Sequence, residues 1–252
     1  AQPSLISGNT SVCKGSTQTY SISPVSGATS YNWIATNGTV SGTGTSVSVT
    51  WNNASNGSIQ VASQNSCGLS AYKTLNVTLN GVPAQPSSIS GNSSPCKNST
   101  QIYSISAVSG ATSYIWQATN ATVTGSGTSV SITWYGSSAG VVQVAAVNSC
   151  GQSPFKILNV TLASPPNQPG AISGNSNPCK SSTAVYSISP VAGATGYSWL
   201  CTNGTVAGGG TSVTVAWNTG TLGTLKVASQ NSCGLSAYQT LNISLNNSPT
   251  QP

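Results

Sequence analysis

Apolar residues alternate with polar ones along most of the chain. Tyr20 and Ile22 share one side of TQTYSIS, and Tyr31, Trp33 and Ala35 share one side of YNWIA. Val47, Val49 and Trp51 do the same in TSVSVTW, Ile59 and Val61 in SIQVAS, and Leu75, Val77 and Leu79 in TLNVTL. The positions between them are mostly Ser, Thr, Asn or Gln. A period of two marks strands with one buried face, and Thr and Val favour such surfaces. The runs are separated by VSGATS, TNGTVSGTG, NNASNG and NSCG, whose Gly, Asn and Ser tolerate turn dihedrals. No helical period interrupts the pattern.

The pattern then repeats. Cys13, Cys96 and Cys179 lie 83 positions apart, and so do Tyr20, Tyr103 and Tyr186. Trp33, Trp116 and Trp199 keep that step, as do Trp51, Trp134 and Trp217, and Cys67, Cys150 and Cys233. Three ungapped copies make internal repetition the first fact of organisation. The expected domains are 1–83, 84–166 and 167–249, with 250–252 opening a further copy. Gln251-Pro252 repeats the pair seen at Gln2-Pro3, Gln85-Pro86 and Gln168-Pro169, so the chain reads as a segment of a longer array. About seven short strands per copy, with turns every 8–12 residues, predict a β-sandwich. Tyr20, Trp33 and Trp51 are its expected inter-sheet filling. Proline-bearing joints, LNGVPAQPS and LASPPNQPG, connect the copies and favour extended, semi-stiff links.

The string CKGSTQTYSISPVSGATSYNWIATNGTVSGTGTSVSVTW, closed by IQVASQNSCGLSAYKTLNVTL, resembles the PKD-like domains of Bacteroidetes surface proteins. The resemblance covers the whole chain. The second and third copies keep most of the pattern, with Asn98 and Ser181 in place of Gly15. It implies immunoglobulin-like sandwiches in tandem, arranged as an elongated rod. It also implies a place in large secreted adhesins, including those of gliding motility. Family members usually carry some acidic residues and this chain carries none, so calcium binding is not carried over.

Charge narrows the function further. Six lysines are the only charged side chains; Asp, Glu, Arg and His are absent. Ordinary proteins carry about 25% charged residues, against 2% here. General acid–base catalysis normally needs His, Asp or Glu. Ser-His-Asp devices, paired-carboxylate glycoside hydrolysis and carboxylate-built cation sites are excluded within these residues. No catalytic residue, cofactor or metal ligand is assigned. The glycines at Gly208 to Gly210 recur as GTG at 42–44 and read as turn geometry, since no helix follows them. The lysines are scattered, with Lys14, Lys97 and Lys180 one repeated position, unlike the clustered basic face of a nucleic-acid binder. No stretch approaches the roughly 20 apolar residues of a membrane helix.

Seven cysteines form three in-register pairs and one extra. Cys13 and Cys67, Cys96 and Cys150, and Cys179 and Cys233 are each 54 positions apart. Without histidine or a CxxC pair, zinc has no ligand set. The spacing predicts one disulfide inside each copy, near the rim of the sandwich, worth about 4 kcal/mol in the chain-entropy model. Reduced thiols and bridges between neighbouring copies are the alternatives. Disulfides imply an oxidising compartment, here extracellular or at the cell surface. Cys201 has Ala35 and Ala118 as counterparts and reads as a free thiol serving as a small apolar side chain.

Two functions fit. The first is a non-catalytic stalk or spacer, whose partners are neighbouring repeats of the same longer chain and other copies in a filament. The second is recognition of a glycan or surface. Tyr72, Phe155 and Tyr238 recur and suggest packing, whereas Tyr135 is unique to the second copy and is the candidate ligand contact.

Overall fold

The computed structural model describes residues 1–136 and 138–247. The expectation that 250–252 opens a further copy falls outside these residues.

The first repeat contains strands β1 (Ser11–Cys13), β2 (Thr17–Ser21), β3 (Ser30–Thr36), β4 (Gly38–Ser41), β5 (Ser46–Trp51), β6 (Asn56–Asn65), β7 (Gly68–Leu69) and β8 (Lys73–Asn80). One sheet runs β2-β5-β4 and the other β1-β8-β6-β3, with β7 hairpinned onto β6. All pairs are antiparallel except β1 with β8, where Cys13 stands opposite Asn80.

The second repeat supplies β9 (Thr100–Ser104), β10 (Ser113–Ala118), β11 (Ala121–Thr124), β12 (Ser129–Trp134), β13 (Ala139–Asn148), β14 (Gly151–Gln152) and β15 (Lys156–Thr161). The third supplies β16 (Thr183–Ser187), β17 (Gly196–Thr202), β18 (Gly204–Gly209), β19 (Ser212–Trp217), β20 (Leu222–Asn231), β21 (Gly234–Leu235) and β22 (Gln239–Ser244). Both repeat the first topology, with β1 reduced to the single parallel bridges Cys96–Ala163 and Cys179–Asn246. No helix occurs among the described residues.

The alternation read from sequence sets the packing. Tyr20, Val47, Val49 and Trp51 of one sheet meet Trp33, Ile59, Val61, Val77 and Leu79 of the other in one apolar cluster. Tyr103, Ile132 and Trp134 with Val142, Val160 and Leu162 form the second cluster. Tyr186, Val215 and Trp217 with Leu225, Val227 and Ile243 form the third. Each cluster draws on one repeat alone. The Tyr20 and Trp51 rings meet edge to face at 5.9 Å, and the pair recurs at Tyr103–Trp134 and Tyr186–Trp217. Burying 150–250 Å² per aromatic gives about 4–6 kcal/mol of gross transfer free energy each.

Each tyrosine hydroxyl also donates to a backbone carbonyl: Tyr20 to Asn9, Tyr103 to Asn92 and Tyr186 to Asn175, at 2.6–2.8 Å. The polar end of a buried ring is thereby satisfied. The recurring Gln-Pro pair has a structural purpose. The prolines Pro3, Pro86 and Pro169 are buried. The Gln2 amide donates to the Tyr72 carbonyl at 2.7 Å, Gln85 to Phe155 at 2.7 Å and Gln168 to Tyr238 at 2.8 Å. Each repeat's leading segment is thus tied to the end of its own last loop.

Candidate functional site

The chemistry that stands out lies at the joints between repeats. Cys13 ends β1 beside Asn80, the last residue of β8, and the Lys14 N–H donates to the Asn80 carbonyl at 2.8 Å. Cys13 therefore sits at the pole where its repeat hands the chain on. Cys67 sits in the tight turn between β6 and β7. Strand β6 is antiparallel to β8, so its end lies where β8 begins. Cys67 lines one cleft with Ala1 and Gly27, at the opposite pole.

This geometry corrects the expected pairing. A strand of eight residues spans about 27 Å at 3.4 Å per residue, whereas a disulfide needs Cα atoms within about 7 Å. Cys13 therefore cannot reach Cys67 within one repeat, and the same topology separates Cys96 from Cys150 and Cys179 from Cys233. The bridges instead cross the joints. Cys13 bonds Cys150 with Cα atoms 5.4 Å apart, and Cys96 bonds Cys233 at the same 5.4 Å. Each closes a sequence separation of 137, worth about 5 kcal/mol in the chain-entropy model. Cys67 and Cys179 are free and exposed.

An asparagine orders each joint. Within the turn, the Cys150 N–H donates to Asn148 Oδ1 at 2.8 Å, fixing the cysteine's backbone. The other end of the same amide crosses to the preceding repeat, where Asn148 Nδ2 donates to the Gly81 carbonyl at 2.9 Å. Asn231 repeats both contacts, to the Cys233 N–H at 2.8 Å and the Ser164 carbonyl at 2.9 Å. A Cβ placed on Gly151 would lie 3.0 Å from the Val82 side chain, so turn and linker touch. At the first repeat, Asn65 caps its turn in the same way, but its Nδ2 turns back to the Gly27 carbonyl at 3.2 Å. From sequence alone these asparagines read only as turn residues. Their signal was the recurring Asn-Ser-Cys-Gly, in which one amide serves the turn and the joint together.

The remaining singled-out residues lie elsewhere. Cys201 is half-buried against the core of the third repeat, and burial pushes its thiol pKa up, a contact with the Gly204 backbone opposing. Tyr135 is 64% exposed beyond β12. Tyr72, Phe155 and Tyr238 are half-buried, and the Asn32 amide donates to the Tyr72 hydroxyl at 3.0 Å. Asn37 and Asn120, which head Asn-x-Thr triplets, take φ of 63° and 58°. Their amides donate back to the Asn56 and Ala139 carbonyls, so their role here is turn geometry.

No curated protein matches the chain. Among solved structures, the FN1–FN3 domains of chicken CNTN1 are similar over 98% of this chain and 99% of that one, at 15% identity and a TM-score of 0.33. Domains A168–A170 of titin are similar over 94% and 96%, at 15% identity and a TM-score of 0.40. The family model described as the PKD-like domain matches three times, at residues 1–77, 82–160 and 165–243. Those matches span most of the sequence and keep its repeat, and the chain belongs to the PKD-like domain family.

Proposed function

We propose that the chain is a non-catalytic structural spacer: a stiffened segment of an extracellular adhesin or surface filament that holds other parts at a distance. The observation that carries this reading is the joint. Tandem domains joined by linkers alone move relative to each other by default. Here a disulfide and an asparagine amide close each of the two joints. Each repeat holds its own apolar core, so the joints serve position, not folding. At about 3.3 Å per strand residue, a repeat spans roughly 30–40 Å, and three in line give a reach on the order of 100 Å. The disulfides fit secretion into an oxidising space. The lack of carboxylates and histidine leaves the segment without ordinary catalytic groups.

Small-angle scattering on the oxidised chain tests the proposal. The expected result is one elongated shape with a maximum dimension on the order of 100 Å, invariant with salt, as the length of a strand requires. A compact particle, or a distribution typical of freely hinged beads, would exclude the spacer. The recognition alternative rests on Tyr135, exposed and unique to one repeat. It predicts reproducible binding on a glycan array that a Tyr135→Ala variant loses.

A further inference from the structure

The two joints are formed by one pair of half-sites. The C-terminal pole offers the cysteine beside the last strand, and the N-terminal pole offers the Asn-Ser-Cys-Gly turn. Three repeats carry three of each, and two joints use two of each. What remains is one half-site of each kind. Cys179 stands opposite Asn246 as Cys13 stands opposite Asn80. Cys67 occupies the turn that Cys150 and Cys233 occupy in the closed joints, with the same side-chain cap from Asn65.

The environments of these two differ from those of their bonded counterparts. Cys13, Cys96, Cys150 and Cys233 are half-buried, whereas Cys67 and Cys179 are exposed. In the closed joint, Gly81 and Val82 of one repeat share a cleft with Gly110 and Asn148 of the next. At the first repeat the matching cleft is lined by Ala1, Gly27, Asn65, Cys67 and Gly68. The Asn65 amide donates to the Gly27 carbonyl of its own repeat.

We propose that Cys67 and Cys179 are complementary docking cysteines, each of which forms a disulfide with a further PKD-like repeat seated end to end. Cys67 accepts the cysteine of a repeat's C-terminal pole, and Cys179 accepts that of an N-terminal turn. For the 252-residue chain by itself, a second copy supplies that repeat, with Cys179 of one copy bonding Cys67 of the other. The reaction converts two thiols into one disulfide. Two protons and two electrons pass to a small disulfide such as oxidised glutathione, which leaves as two thiols. The inference extends the spacer reading but is tested separately from it, since scattering on the single chain does not depend on these thiols.

The test uses two full-length variants, both with Cys201→Ala, the residue at the matching positions 35 and 118. One adds Cys67→Ser and retains Cys179 as its free thiol; the other adds Cys179→Ser and retains Cys67. Each alone, and the two mixed in equal amounts, are incubated with reduced and oxidised glutathione, then resolved without reductant and mapped by mass spectrometry. The expected result is a mixed dimer joined through Cys179 and Cys67, exceeding either homodimer by about tenfold, which corresponds to 1.4 kcal/mol of preference. The wild-type chain is expected to give a ladder of higher multiples. Homodimers at the share random pairing gives, or no cross-link in the mixture, would overturn the proposal.

Discussion

Gly140 lies on β13 where an added Cβ would sit 2.2 Å from the Trp134 ring and 2.8 Å from the Thr119 carbonyl. Gly57 and Gly223 face Trp51 and Trp217 in the same way, so the large ring of each core is accommodated by the absence of a side chain opposite it. Gly140→Ala is expected to destabilise the second repeat by about 1–3 kcal/mol through overpacking, read as a lowered denaturant midpoint. Gly170→Ala, with open space around it, is expected to stay within about 0.5 kcal/mol. Titration belongs to this scale too. Burial raises the pKa of Tyr20, Tyr103 and Tyr186, with the neighbouring tryptophan acting in the opposite direction. The folded state therefore holds these protons at pH values where the unfolded chain releases them, and stability falls as pH rises from about 10 upward through the folded pKa. The chain has no Asp, Glu or His, the residue types that ordinarily titrate below about pH 7. Thermal melts are expected to be flat between about pH 5 and 7 and to drop above about pH 10, together with tyrosinate absorbance. A slope between pH 5 and 7 would contradict this.

At the scale of the element, strand direction decides the disulfides. Strands β1 and β8 run parallel, so the first cysteine travels with the end of the repeat. The β6–β7 turn points the other way and carries the second cysteine to the start. Fifty-four residues of separation are compatible with either arrangement, and only the pairing of the strands tells them apart. The turn also has an energetic role. Asn148→Ala removes a hydrogen bond to the Cys150 N–H and one to the Gly81 carbonyl. At about 1 kcal/mol net, allowing for water's compensation, the Cys13–Cys150 bond is expected to be roughly fivefold easier to reduce in a dithiol titration. The Cys96–Cys233 bond of the same molecule serves as the internal reference and is expected to be unchanged. Equal shifts at both bonds would show that the asparagine does not act on its own joint.

For the whole molecule, the position of the bridges separates folding from reach. Among the described residues no disulfide lies inside any repeat, and each apolar cluster belongs to a single repeat. Reduction is therefore expected to leave the near-ultraviolet circular dichroism of the buried tryptophans unchanged. The same treatment is expected to broaden the distance distribution in scattering as the joints begin to hinge. Loss of the tryptophan signal on reduction would mean that the sandwiches need the bridges to fold.

The sequence by itself determined the module: the three copies, the alternating strands, the turn positions and the Tyr–Trp pairs at the heart of each sandwich. All of these depend on local periodicity, and burial of one strand face is enough to specify them. It also showed that the cysteines fall at rims. What only the tertiary structure decided was which rim. The two cysteines of a repeat lie at opposite ends of β8, a separation created by antiparallel pairing between strands distant in sequence. The same fact replaced three expected staples within repeats by two bolts between them, Cys13–Cys150 and Cys96–Cys233.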